Sequence, residues 1–161
     1  MQVTASSLLG VLGRLYEAQN CSAARALELV GERWSLLILR DDLFRRMTRF
    51  SEFQRSLGIA PNVLSARLQG FLRAGLMQLD PADGTEPPRY RLTDSGRDLA
   101  AVIVALTRWG DRWATPGEPP VLFGHAGCTG PVEAATVCRG CGTELAHGEL
   151  QAQPGPGAGD A

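Results

Sequence analysis

Apolar residues recur at helical spacing in six stretches of the chain, with one alternating stretch among them. Residues 4–19 put Leu8, Leu9, Leu12, Leu15 and Tyr16 on one face, with Thr4 or Ser6 as N-cap. Gly10 and Gly13 weaken that helix. A second helix starts at Cys21–Ser22, carries Ala24, Leu27 and Val30, and stops at Gly31. In residues 32–44 (ERWSLLILRDDLF), Trp34, Leu37, Ile38 and Leu43 face inward. LLIL also fits a buried strand, but the flanking Arg, Glu and Asp favour a helix.

The stretch from Thr48 to Leu76 is the most informative. Ser51 and Gln54 form an S-x-x-Q capping box that opens a short helix through Leu57, and Gly58 ends it in the left-handed conformation. Ile59-Ala60-Pro61 makes a turn, because the residue before a proline avoids the helical region. Asn62 then serves as N-cap of a longer helix, with Leu64, Leu68, Phe71 and Leu72 on one face and Gly75 at its end. Short helix, tight turn and longer helix make a helix-turn-helix. A hairpin follows: LMQLD (76–80) and RYRL (89–92) are strands, and PADGTEPP is the tip. Thr93 caps a long helix over 94–114 with Leu99, Val102, Ile103, Leu106, Trp109 and Trp113 as its apolar positions. Pro116, Pro119 and Pro120 terminate it.

The expected fold is therefore mainly α with a small β-hairpin wing, a winged helix-turn-helix. Its parts are an N-terminal arm (1–20), the winged domain (21–115), a short Cys/His-rich, zinc-ribbon-like appendage (121–150) and a disordered, low-complexity tail (151–161). At 161 residues, 44% hydrophobic and 20% charged, the chain can bury a core. Neither a membrane span nor a signal peptide is legible, which makes the cytoplasm the expected location and a membrane role unexpected.

Net charge is −1, but it is unevenly spread. All 16 basic residues are arginine, and seven of them (40, 45, 46, 49, 55, 67 and 73) crowd around the helix-turn-helix. The guanidinium fork suits phosphate and the guanine edge.

Several spaced motifs narrow the architecture further. They are Cys21-Ser22-Ala23-Ala24-Arg25-Ala26-Leu27, Gly31-Glu32-Arg33-Trp34-Ser35-Leu36-Leu37-Ile38-Leu39 and Arg49-Phe50-Ser51-Glu52-Phe53. Then come Gly58-Ile59-Ala60-Pro61-Asn62-Val63-Leu64-Ser65, Gly75-Leu76 and Tyr90-Arg91-Leu92-Thr93-Asp94-Ser95-Gly96. In this order they resemble the HxlR-type family of bacterial winged-helix transcriptional regulators over about residues 21–113. The resemblance implies a homodimer that binds an operator and represses or activates nearby genes. In some relatives it implies a response to electrophiles or oxidants through an N-terminal cysteine. Phe44-Arg45-Arg46-Met47 departs from the family, which usually has a glycine-containing turn there.

With Leu64, Leu68, Phe71 and Leu72 inward, the opposite face of that helix carries Asn62, Ala66, Gln69, Gly70 and Arg73, flanked by Ser65 and Arg67. Asn and Gln can pair with adenine and Arg with guanine. Ala66 and Gly70 allow close backbone approach, and Ser65 at the helix start suits a phosphate. The ordinary alternative is a solvated face. Arg49 and Arg55 are placed for backbone phosphates, and Arg89 and Arg91 project from the wing. Asp80, Asp83 and Glu86 would keep its tip from DNA. The stripes Leu8, Leu12, Leu15 and Val102, Leu106, Trp109, Trp113 fit a two-fold interface, which implies a pseudo-palindromic site in duplex DNA.

The four cysteines suggest separate chemistry. His125-x2-Cys128-x9-Cys138-x2-Cys141, with His147 as a substitute for His125, reads as one structural zinc per chain. A Cys138–Cys141 disulfide or free thiols are the alternatives. Cys21 opens a helix near Arg25, which suits a sensor thiol as well as it suits a small buried residue. Two further classes remain open: a thiol oxidoreductase using Cys138 and Cys141, and a protein-binding winged helix that does not bind DNA. No catalytic residue of another kind is expected.

Overall fold

The computed structural model describes residues 20–80 and 87–158. The arm stripe Leu8, Leu12 and Leu15 and the tip residues Asp83 and Glu86 lie outside them. Helices α1 (Ser22–Val30), α2 (Ser35–Arg45), α3 (Phe50–Leu57) and α4 (Pro61–Arg73) precede strands β1 (Met77–Asp80) and β2 (Arg89–Leu92). Helices α5 (Asp94–Arg97) and α6 (Leu99–Trp113) follow. The chain divides into two units, one ending at Ile103 and one beginning at Val104.

The first unit is built on one apolar cluster. Val30, Ile38, Leu39, Phe53, Ile59, Leu64, Leu68, Phe71, Leu76, Met77, Leu92 and Ile103 are buried together. The residues 35–45 are helical, not a strand. Leu27, expected inside, is instead 54% exposed at the flank of the stripe that buries Ala24 and Val30.

Three helix boundaries differ from the expectation, each for a local reason. Helix α3 opens at Arg49, not at Ser51, because the Glu52 carboxylate accepts the backbone N–H groups of Thr48 at 2.8 Å and Arg49 at 2.9 Å. Those two donors hold the Glu52 carboxyl below its usual range. Asn62 is a helical residue rather than a cap. Pro61 takes the first helical position, where its missing N–H costs nothing, and Ala60 becomes the N-cap. The single helix expected over 94–114 is interrupted by one turn residue, Asp98, which keeps right-handed dihedrals (φ −61°, ψ −20°).

The wing is a two-stranded antiparallel ribbon with Met77 opposite Leu92 and Leu79 opposite Tyr90. Its base is fastened to the turn that follows α4. The Thr93 hydroxyl donates to the Gly75 carbonyl at 2.6 Å, Ser95 donates to the same oxygen at 3.1 Å, and the Thr93 N–H bonds Leu76 O at 3.0 Å. A Cβ at Gly96 would stand 2.2 Å from Leu76 O, so only glycine lets α5 pack there.

The loop after α2 accounts for the departure at Phe44–Met47. Arg46 caps the helix in the left-handed conformation (φ 57°), with its N–H bonded to Asp42 O. The turn that usually calls for glycine is present, made by an arginine.

In the second unit no residue from 105 to 158 is buried. It contains two isolated β-bridges, Gly124–Pro131 and Val137–Glu144, and a 3-10 turn at His147–Glu149.

Candidate nucleic-acid interface

Helix α4 is positioned by its apolar side. Leu64 and Leu68 are fully buried and Phe71 nearly so, which fixes the helix's rotation about its axis. Asn62, Ser65, Ala66, Gln69 and Arg73 are consequently exposed, and Gly70 half-exposed. A Cβ at Gly70 would meet nothing within 4 Å, so this part of the surface is open. The expected polar face exists and is not covered by the unit's own body.

The arginines divide by partner. Arg55 and Arg73 are exposed near the ends of α3 and α4. Arg49 and Arg89 are half-buried. Arg67 lies 3.6 Å from Glu32, which ties the flank of α4 to the segment before α2. Arg91 is bonded to Asp80 across the wing, so the acid that ends β1 is neutralised locally. Arg46, Arg89, Arg91 and Arg97 line a cleft that also contains Asp42. Burial pushes the Asp42 carboxyl up to about 6, against the opposing pull of Arg91, Arg97 and Arg46.

One anchoring residue was not evident from the sequence pattern. Asp41 is wholly buried. Its carboxylate accepts Arg40 at 2.7 and 2.9 Å and the Ser56 hydroxyl at 2.6 Å. It therefore locks α2 to α3. An Asp-Asp pair on a helix ordinarily signals a solvated face, and only the tertiary partner at Ser56 distinguishes Asp41.

The family model described as HxlR-like helix-turn-helix matches residues 29–118. The chain belongs to this family. The uncharacterized HTH-type transcriptional regulator Rv3095 of Mycobacterium tuberculosis is 43% identical over 138 residues, covering 84% of this chain and 87% of that protein. The solved structure of PA1607 is 38% identical with a TM-score of 0.76, covering 86% of this chain and 97% of that one. The reduced form of the transcriptional regulator YodB from B. subtilis is 28% identical with a TM-score of 0.50, covering 62% of this chain and 100% of that one. The protein is thus a transcriptional regulator of HxlR-like winged-helix type, a class that normally carries no enzymatic activity. No helix among the described residues is long and apolar enough to cross a membrane.

Val102, Leu106, Trp109 and Trp113 of α6 are 48–67% exposed, and Arg112 lies 5.0 Å over the Trp113 ring. Cys21 is an exposed free thiol at the N-cap of α1, and Arg25 sits one turn on, 3.6 Å from Glu28. His125 Nδ1 and Cys128 Sγ are 3.2 Å apart. The Cys141 thiol is held below its usual range by hydrogen bonding with the Thr143 side chain and backbone and with Cys138. Each short-range pair is formed, but among the described residues no group of three or more His, Cys, Asp or Glu is placed to hold a metal. Cys138 and Cys141 lie in a turn, not at the start of a helix as a thiol oxidoreductase would need.

Proposed function

We propose that the protein is a homodimeric, sequence-specific DNA-binding regulator that places α4 in the major groove. The observation that carries this reading is the division of α4 into a buried side (Leu64, Leu68, Phe71) and an exposed polar side (Asn62, Ser65, Gln69, Arg73). Asn and Gln at such positions pair with adenine, and Arg pairs with guanine. Arg49 and Arg55, with the wing base at Arg89 and Arg91, then supply phosphate contacts. The exposed apolar stripe of α6 (Val102, Leu106, Trp109 and Trp113) is the surface for the second chain. Two copies of α4 about one helical turn (~34 Å) apart would read a pseudo-palindrome.

Thiol modulation at Cys21 belongs to the same proposal. Exposure at a helix start, with Arg25 one turn away, suits a sulfur that an electrophilic effector can reach.

The test is selection of bound fragments from random duplex DNA, followed by titration across salt concentrations. Recovery of a pseudo-palindromic sequence, bound with a steep negative salt slope, supports the proposal. Equal affinity for selected and unselected DNA contradicts it.

A further inference from the structure

The second unit contains a structural repeat that its sequence does not advertise. Around the first ligand pair, His125 N–H bonds Gly130 O (2.8 Å), Thr129 N–H bonds His125 O (2.7 Å) and Val132 N–H bonds Phe123 O (2.8 Å). Around the second, Cys138 N–H bonds Thr143 O (2.9 Å), Gly142 N–H bonds Cys138 O (2.8 Å) and Leu145 N–H bonds Thr136 O (2.8 Å). Each of these three bonds recurs 13 positions on (125 to 138, 129 to 142, 132 to 145), while the first turn has one more, Cys128 N–H to His125 O at 3.2 Å. The closing bridges do the same: Gly124–Pro131 becomes Val137–Glu144. The left-handed residue also recurs, as Thr129 (φ 57°) and then Gly142 (φ 74°).

The two ten-residue segments, FGHAGCTGPV and TVCRGCGTEL, agree in identity only at Gly127/Gly140 and Cys128/Cys141. At the first ligand position the residue type changes from His125 to Cys138, yet both can bind a metal. What the two turns retain is therefore the backbone shape and a pair of ligands. Thr129 accepts a conformation that β-branched residues rarely adopt in order to keep that shape.

The turns have no core of their own: Leu122, Phe123 and Val132 only line an open cleft with Trp109 and Trp113, and Arg108 pairs with Glu133 at 3.1 Å. No residue from 105 to 158 is buried, and a segment of this size without a core normally needs a cross-link.

We propose that the two turns are half-sites of one structural zinc centre, with His125 and Cys128 from the first and Cys138 and Cys141 from the second. Three thiols release their protons to solvent on binding, and three thiolates with one neutral imidazole complete a closed tetrahedral set. That donor set fits zinc better than the oxygen-seeking Mg2+ or Ca2+. Each half-site is preformed at short range. The metal brings the halves together, which is the convergence that the polypeptide alone does not make. The role is architectural: the centre folds the segment after α6.

Elemental analysis of the purified full chain tests this without reference to DNA. The expected result is about one zinc per chain, retained through gel filtration, and replaceable by Co2+ with the visible and charge-transfer absorption of a tetrahedral thiolate site. Cys128→Ser and Cys138→Ser should each lose the metal, because each breaks a different half. Cys21→Ser should keep it. The helical circular dichroism of the two ligand variants should match the parent and so report an intact winged domain. A metal-free chain with four titratable thiols, or one with a Cys138–Cys141 disulfide, overturns the proposal. Loss of zinc in Cys138→Ser but not in Cys128→Ser also overturns it.

Discussion

The Ser56 hydroxyl of α3 donates to the buried Asp41 carboxylate of α2 across 2.6 Å. Arg40 occupies the other oxygen, and the Arg45 guanidinium reaches Ser56 Oγ at 3.1 Å, so the carboxylate is satisfied where water cannot reach it. The helix-turn-helix is thereby fixed to the preceding helix by a polar lock inside an otherwise apolar contact. Removing one partner of such a lock leaves the other unsolvated. Asp41→Ala should destabilise the fold by about 3 kcal/mol and Ser56→Ala by about 1 kcal/mol. The double variant should cost clearly less than the sum in urea unfolding. Strict additivity would show that the two side chains do not interact.

Arg46 holds the left-handed position that ends α2. A non-glycine residue there costs roughly 1–2 kcal/mol, while glycine loses more chain entropy on folding. Arg46→Gly should raise stability by about 0.5 kcal/mol, and Arg46→Val should lower it by more than 1 kcal/mol. Thermal denaturation of the two variants checks both signs.

Asp42 predicts a pH dependence. Burial raises its folded pKa to about 6, above an unfolded value of about 3.9. The folded state therefore holds the proton more tightly, and this carboxyl's contribution favours folding below pH 4. That contribution is lost as pH rises from about 4 through 6. Asp42→Asn, which cannot ionise, should raise Tm at pH 7 and leave it nearly unchanged at pH 4. An equal shift at both pH values would remove ionisation from the explanation.

Gly70 separates stability from recognition. A methyl there meets no protein atom, so Gly70→Ala should stabilise α4 by up to about 1 kcal/mol. If that face enters a groove, the same methyl should weaken DNA binding. A gain in Tm paired with lower affinity distinguishes this face from a merely solvated one.

Much of this architecture was legible because local signals agreed. The Leu64/Leu68/Phe71 stripe, the Pro61 start and the left-handed Gly58 (φ 60°) all marked the same helix pair. The alternation of Tyr90 and Leu92 marked the wing. Both caps stand two residues before the expected ones, since Ser51 is an excellent cap in sequence and Glu52 wins only through the donors at Thr48 and Arg49. Asp41 and the arginine turn at Arg46 were invisible for a related reason. Each depends on a tertiary neighbour or on a dihedral that no periodicity encodes. In the second unit the Cys and His spacing was plain, but the repeated hydrogen-bond pattern of FGHAGCTGPV and TVCRGCGTEL was not, because the backbone carries it.

The most direct measurement compares base contacts with phosphate contacts on the selected site and on random duplex. Gln69→Ala and Arg73→Ala should each cost about 1–3 kcal/mol on the selected site. Gln69→Ala should leave random-sequence binding unchanged, and Arg55→Ala should weaken both and flatten the salt slope by about one. If Gln69→Ala and Arg73→Ala retain parental affinity and selectivity, α4 does not read the bases.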